Sequence, residues 1–209
     1  MTHPPKVMFV VNSLSGGGAE ASAVKVFHAL IDSGIDIRLV AINNTEELSS
    51  QFSSRIRALD RKWKSGPTQT LRIFFKFLSE VRSFKPTIVV AHCELPELYC
   101  AFIPWTGIRI IAVEHTSQPW RGRKVIGFLV RTALRIRKAS WVTVINGNSK
   151  IWSGERNPIL IANPVSKNME LGTNRIPERF AFIGRLRSEK RPQIAIRASV
   201  QNNVSIAVI

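Results

Sequence analysis

Glycines that could bind an anion stand directly after the first apolar run of the chain. Residues 6–12 form this run, residues 16–18 are all glycine, and apolar residues at helical spacing follow over residues 19–33. At the start of a helix, glycines let backbone N–H groups approach an anion closely. We therefore expect an anion site at this turn; a flexible turn that caps a helix is the alternative.

The same turn also fits the dinucleotide-binding pattern G-x-G-x-x-A, from Gly16 to Ala21. However, three residues separate the first strand from the glycines, whereas a dinucleotide-binding turn is tight. The second predicted strand, residues 35–42, is followed by asparagine and not by the acid that holds a ribose. A dinucleotide-dependent oxidoreductase is therefore disfavoured, and no Gly-Lys-Ser/Thr follows to make a P-loop.

A pair of cations stands at a second strand-to-helix junction near the end of the chain. Arg185 and Lys190 follow the apolar run of residues 179–184 and precede a helical pattern that begins near residue 192. An arginine offers a bidentate fork and a lysine a point charge, and the two together suit a diphosphate. The alternative is a solvated turn in which Glu189 pairs with one of them.

Histidine is the remaining residue type that could take part in catalysis or ligand binding. His115 follows the predicted strand 109–113, at the strand end where α/β sheets place their ligands. His92 also ends a predicted strand, with weaker support, and His3 and His28 have none. A lone histidine is more often structural than catalytic, so both interpretations stay open on these residues alone.

The excess of positive charge is concentrated in one helical segment. The chain has 30 Lys and Arg against 14 Asp and Glu, a formal net charge of +16. No acid lies between Trp120 and Ser140, and residues 123–138 alternate cations with apolar residues at helical spacing. Such a patch attracts nucleic acid, anionic lipid or phosphorylated small molecules, or it is simply a solvated face behind a core-facing stripe. The candidate patch residues are Arg121, Arg123, Lys124, Arg131 and Arg135.

The elements that must position these residues alternate regularly between strand and helix. This alternation predicts an α/β fold with a Rossmann-like, doubly wound parallel sheet over residues 1–165. Residues 166–178 have the composition of a linker. A second strand–helix–strand unit occupies residues 179–209, and one such unit is too small for a core of its own. We therefore expect an incomplete second Rossmann-like domain.

Composition excludes several other classes of protein. The apolar fraction of 44 % is that of a globular chain. No apolar run reaches the length of a membrane-spanning helix, and no signal peptide is visible at the start. Two cysteines, Cys93 and Cys100, make neither a disulfide framework nor a zinc site. We expect a cytoplasmic protein with no metal site.

In combination and in order, several segments resemble glycosyltransferase family 4, retaining enzymes of the GT-B fold. These segments are GGGAE after the first strand, FKPTIVVAH ending at His92, VEHTS around His115, ANPV before the linker, and FAFIGRLRSEKRP. The resemblance covers the full N-terminal domain of that family and the first βαβ unit of its C-terminal, nucleotide-sugar-binding domain.

The resemblance implies transfer of a sugar from a nucleotide-diphosphate donor, with retention and without an obligatory metal or other cofactor. It implies that Gly17 and Gly18 lie near the donor phosphates, that His115 contacts the donor sugar near the reacting centre, and that Arg185 and Lys190 neutralise the leaving nucleoside diphosphate. Relatives often use lipid-linked acceptors at the inner face of the plasma membrane. We therefore expect a glycan or lipid-linked acceptor, a pathway of cell-surface polysaccharide or lipopolysaccharide synthesis, and peripheral contact with anionic membrane.

Two further expectations follow. A complete second domain would need roughly another 150 residues, so we expect weak or no transfer by these residues alone, testable as sugar release from common nucleotide sugars. The main alternative function is a non-catalytic, basic Rossmann-like module that binds anionic lipid or nucleic acid. Nucleic acid is not favoured as a partner, because the sequence has no aromatic stacking strip and no nucleic-acid-binding motif.

Overall fold

The first strand–helix–strand unit sets the architecture of the chain. In the computed structural model, described here for residues 4–14, 17–43, 54–62, 66–116, 119–145, 158–164, 179–184, 186 and 190–208, β1 (Lys6–Val11) leads into α1 (Gly18–Asp32) and β2 (Asp36–Asn43). β1 and β2 pair in parallel, with Lys6 opposite Asp36. The middle of each strand is apolar because helices cover both faces of a parallel sheet.

The alternation continues through the rest of the first compact unit, Met1–Val165. Its further elements are β3 (Ile56–Arg61), α2 (Pro67–Phe84), β4 (Ile88–His92), α3 (Glu94–Ala101), β5 (Arg109–Glu114), α4 (Lys124–Ile136), β6 (Ser140–Thr143) and β7 (Ile159–Leu160). The strands form one parallel sheet in the order β3-β2-β1-β4-β5-β6-β7. The predicted Rossmann-like, doubly wound sheet is therefore confirmed.

Two apolar clusters pack on the two faces of this sheet. On one face, Phe27 of α1 packs with Phe9 of β1 and Val90 of β4. On the other face, the larger cluster joins α2, α3 and α4 to the sheet and includes Phe77, Tyr99 and Leu134. Because side chains alternate along a strand, consecutive residues at a strand end serve opposite faces of the sheet.

One predicted helix is shorter in the structure. The pattern predicts a helix over residues 94–105, but α3 ends at Ala101. Pro104 lies three residues beyond, and a residue that precedes proline is kept out of the helical region. The chain therefore leaves the helix early and enters the turn that leads to β5.

The second compact unit is Ser166–Ile209. Its described elements are two parallel strands, β8 (Arg179–Phe182) and β9 (Ser205–Val208), and the helix α5 (Pro192–Gln201). Several of its apolar side chains, among them Phe180, Ile183 and Val200, are exposed. This unit has the strand–helix–strand form that the sequence predicts.

Candidate functional site

The order of the strands places a ligand-binding edge between β1 and β4. From β1 the chain moves outward to β2 and β3, and it then crosses back to β4 on the other side of β1. In doubly wound sheets, ligands bind outside the carboxyl ends of the strands at this reversal. Here β4 ends at His92 and β5 at Glu114. We call the carboxyl ends of β1, β4 and β5 the carboxyl edge.

A cavity of about 410 Å³ opens at the carboxyl edge. Its lining is rich in polar and charged groups: Asn12, Asn43, Arg61, Cys93, Glu94, Glu97, Glu114, His115, Thr116 and Arg123, together with Leu95, Leu98, Pro119, Trp120 and Ile126. Of the residues predicted from the sequence, His115 and Arg123 therefore line the same cavity. Carboxylates, amides and two guanidiniums in one concave site suit a ligand with many hydroxyl or phosphate groups.

His115 is held against a second histidine. The sheet register places His92 of β4 opposite Val113 of β5, and His115 follows two residues later. Nδ1 of His92 lies 3.1 Å from Nε2 of His115. Burial lowers the pKa of His115, and burial together with the neighbouring His115 lowers the pKa of His92 to about 3. Both rings are therefore neutral at ordinary pH.

The adjacent Glu114 takes part in a buried ion-pair cluster that joins β5 to α3 and α4. Nη2 of Arg131 lies 2.6 Å from Oε1 of Glu114 and 3.6 Å from Oε1 of Glu97. The Arg131 guanidinium also stacks over the Trp141 ring, 4.8 Å from its centroid. Burial raises the pKa of Glu97 to about 7, although Arg131 and a hydrogen bond from Trp120 act in the opposite direction.

Trp120 ties the segment after β5 to α3. Its indole Nε1 donates a hydrogen bond to Oε2 of Glu97 at 2.9 Å, and its backbone N–H donates to Oε1 of Glu94. The side chain is 2 % exposed and packs against Gly127 of α4. These contacts hold Trp120 in place at one wall of the cavity.

The backbone is strained where β4 ends. Cys93 has φ 74° and ψ 178°, a region that essentially only glycine occupies without cost. Its thiol is not activated, because burial, with Glu20, Glu97 and Glu94 nearby, raises its pKa to about 12. Cys93 therefore lines the cavity without the properties of a nucleophile.

The predicted glycine turn begins α1. Gly17 is the N-cap of α1, no side chain caps this end of the helix, and Gly18 is the first helical residue. A Cβ added at Gly18 would meet nothing within 4 Å. The structure thus places Gly17 and Gly18 at a helix N-terminus beside β1, and neither residue is among those lining the cavity.

The remaining predicted phosphate ligands belong to the second unit. Lys190 is exposed just before α5. Arg185 lies outside the described residues.

The prediction that Arg131 belongs to an exposed basic patch is wrong. Arg131 is only 4 % exposed, because it lies on the core-facing side of α4 with Gly127, Val130 and Leu134 and is paired with buried carboxylates. It therefore cannot belong to an exposed basic face. Arg121, Arg123, Lys124 and Arg135 are exposed, as the sequence predicts.

The outer side of α4 carries exposed apolar side chains as well as exposed cations. Val125, Phe128, Leu129 and Ile136 recur at helical spacing and are exposed, Phe128 to 61 % and Ile136 to 77 %. Exposed cations lie at both ends of this stripe. Among the helices of the described residues, none is long and apolar enough to cross a membrane.

Sequence reasoning missed the Glu97–Arg131–Glu114 cluster. The available signal was the position of Arg131 within the stripe of residues 127, 130 and 134, where an apolar residue would be expected. Over the described residues, no group of three or more His, Cys, Asp or Glu side chains is arranged to hold a metal ion.

Similar folds are found among solved structures, two of which have UDP or a UDP-sugar in their names. They include an alpha-glucosyltransferase in complex with UDP and a 13-mer DNA (13 % identity, TM-score 0.64, covering 97 % of this chain and 55 % of that one). MurG from Acinetobacter baumannii matches with 13 % identity and TM-score 0.58, covering 98 % of this chain and 57 % of that one. UDP-N-acetylglucosamine 2-epimerase from Rickettsia bellii matches with 12 % identity and TM-score 0.63, covering 99 % and 62 %.

Identities this low establish the shared fold alone, and the chain spans between 55 % and 62 % of the length of these proteins. No curated protein matches the sequence. A sequence model of the family described as Glycosyltransferase Family 4, however, matches residues 16–150, which is well over half of the chain. The parallel α/β sheet is consistent with this match. The chain belongs to glycosyltransferase family 4.

Proposed function

We propose that this protein takes part in transferring a sugar, with retention, from a nucleoside-diphosphate donor to a glycan or lipid-linked acceptor. The observation that carries the proposal is the placement of His115 in the cavity at the carboxyl edge of a family 4 chain. A neutral imidazole there can hydrogen-bond to a sugar hydroxyl, and the carboxylates and amides of the lining offer partners for further hydroxyls.

The main electrostatic task of such a transfer is to stabilise the departing diphosphate. Fixed cations and helix N-terminal N–H groups do this without a metal ion. We assign this role to Gly17 and Gly18 at the start of α1 and to Arg185 and Lys190 of the second unit. No cofactor is required by this scheme, and the nucleotide sugar is the donor substrate.

The acceptor side of the proposal rests on α4. Ile126, in the first turn of α4, both lines the cavity and is exposed, so the apolar stripe of this helix begins beside the cavity. Arg121, Arg123, Lys124 and Arg135 can bind lipid phosphates while the stripe contacts acyl chains. A lipid-linked acceptor in an anionic bilayer would then present its sugar near the cavity. We therefore propose peripheral attachment at the inner face of the plasma membrane and a role in cell-surface polysaccharide or lipopolysaccharide synthesis.

Ligand-dependent thermal unfolding tests the donor. We expect a UDP- or GDP-sugar to raise the Tm of the protein, while NAD and a short oligonucleotide leave it unchanged. His115→Ala should reduce the shift, and His28→Ala, an exposed position on α1, should preserve it. Stabilisation by the oligonucleotide alone would favour a non-catalytic nucleic-acid-binding module. The expectation that these 209 residues alone transfer sugar weakly or not at all stays a prediction.

Vesicle flotation tests the membrane contact. We expect binding to vesicles that contain anionic lipid, weakened by salt and by Phe128→Ser. Phe75→Ser is the matched control, because Phe75 has the same 61 % exposure on α2, outside the acid-free segment. The membrane proposal would be wrong if binding did not depend on lipid charge. It would also be wrong if both substitutions weakened binding equally. Binding to anionic lipid with no response to any nucleotide sugar would favour a non-catalytic lipid-binding module.

A further inference from the structure

The two histidines at the carboxyl edge form a pair that the proposed transfer does not by itself require. His92 is 7 % exposed, its ring lies 5.2 Å from the ring of Phe9, and it is not among the residues lining the cavity. Its Nδ1 lies 3.1 Å from Nε2 of His115, and its Nε2 has no hydrogen-bond partner among the described residues. Within the described part of the chain, the one polar contact of His92 is therefore His115.

Counting protons restricts the pair to two arrangements. Burial lowers the pKa of both imidazoles, so each ring carries one proton near neutral pH. In the first arrangement, Nδ1–H of His92 donates to Nε2 of His115, and the proton of His115 is on Nδ1. In the second, Nε2–H of His115 donates to Nδ1 of His92, and the proton of His92 is on Nε2.

The surroundings of His92 distinguish these arrangements. In the second arrangement, Nε2 of His92 carries a buried N–H with no acceptor. In the first, the same atom is an unprotonated acceptor. Among backbone groups, orphaned buried N–H donors are rarer than under-satisfied acceptors, and by the same preference for satisfying donors the first arrangement costs less.

We propose that His92 is a positioning residue that holds His115 in the tautomer protonated on Nδ1. His115 then meets a bound sugar as a neutral hydrogen-bond donor. Its only basic nitrogen, Nε2, is occupied by the proton of His92, so His115 cannot accept a proton from an acceptor hydroxyl. The role of His115 toward a sugar rests on the proposed function, whereas the tautomer is a property of the free protein.

Nitrogen-15 spectra of the imidazoles test the proposal without any ligand. The chain has only four histidines, so their ring signals can be assigned by substituting each in turn. At neutral pH we expect protonated-type Nδ1 and unprotonated-type Nε2 signals for both His92 and His115. A proton on Nε2 of His115, or a cationic ring in either residue, would overturn the proposal.

Two substitutions of His92 separate positioning from packing. His92→Asn places an amide N–H at the same number of bonds from the backbone as Nδ1, so His115 should keep its tautomer. His92→Leu removes the donor, so His115 should become a mixture of tautomers; an unchanged spectrum would contradict the proposal. If His92→Leu fails to fold, the wild-type and His92→Asn spectra still test the proposed tautomer of His115.

Binding of a nucleotide sugar distinguishes failure of this proposal from failure of the proposed function. With the sugar nucleotide that best stabilises the protein, we expect His92→Leu to weaken binding about fivefold, the value of one lost hydrogen bond, and His92→Asn to bind within about twofold of wild type. Equal weakening by both would contradict positioning. If no nucleotide sugar binds the wild-type chain, the proposed function fails while the tautomer result stands.

Discussion

Gly127 of α4 provides a sharp test of the packing at the cavity wall. A Cβ built on this residue lies 2.5 Å from both Cβ and Cγ of Trp120. Carbon atoms this close would overlap. Trp120 cannot easily move away, because it is buried and hydrogen-bonded to Glu94 and Glu97. Overpacking of a core costs about 1–3 kcal/mol, and this contact belongs at the upper end of that range. In the other direction, alanine stabilises the interior of a helix by about 1 kcal/mol relative to glycine.

The net expectation for Gly127→Ala is therefore a loss of about 2 kcal/mol in the free energy of unfolding. For a chain of this length, that loss lowers Tm by about 4–8 °C. Urea and thermal unfolding measure it directly. Gly18→Ala is the matched control, because nothing lies within 4 Å of its added Cβ, and it should leave stability unchanged or slightly raised. A Gly127→Ala protein as stable as wild type would refute the described contact with Trp120.

Three further predictions concern the buried charges and thiol at the same site. Arg131→Met leaves Glu114 and Glu97 buried without their cation, so urea unfolding should show a loss of about 3–5 kcal/mol; a loss under about 1 kcal/mol would contradict these ion pairs. Because burial raises the pKa of Glu97 from 4.5 to about 7, the folded protein binds the proton more tightly, and this group's contribution to stability falls as pH rises through that range. Glu97→Gln should flatten that part of the stability–pH curve, and an unaltered slope would argue against the raised pKa. Because the pKa of Cys93 is raised to about 12, iodoacetamide at about pH 8 should modify it far more slowly than free cysteine, as followed by mass spectrometry; equal rates would show an accessible thiolate.

The sheet could be predicted from the sequence because its strands carry a strong local signal. The apolar runs of β1, β2 and β4 are continuous, and the helices between them have clear stripes. The end of α3 was misjudged because the apolar pattern continues beyond Ala101, while Pro104 ends the helix by restricting the residue before it.

The candidate site was predictable only in part. His115 could be identified because strand ends in α/β sheets hold ligands. Its contact with His92 depends on the register between β4 and β5, which joins residues 23 positions apart and leaves no local trace. The role of Arg131 was misjudged for a related reason, since a charge in a helix is ordinarily solvated, and its carboxylate partners lie on α3 and β5.

The His115 imidazole signals, followed while a nucleotide sugar is titrated into the protein, test whether the cavity is the sugar site. If the cavity at the carboxyl edge receives the sugar, these signals shift in a saturable manner, those of His28 stay fixed, and NAD produces no such change. A nucleotide sugar that binds the protein and leaves His115 unperturbed would show that the sugar does not enter this cavity.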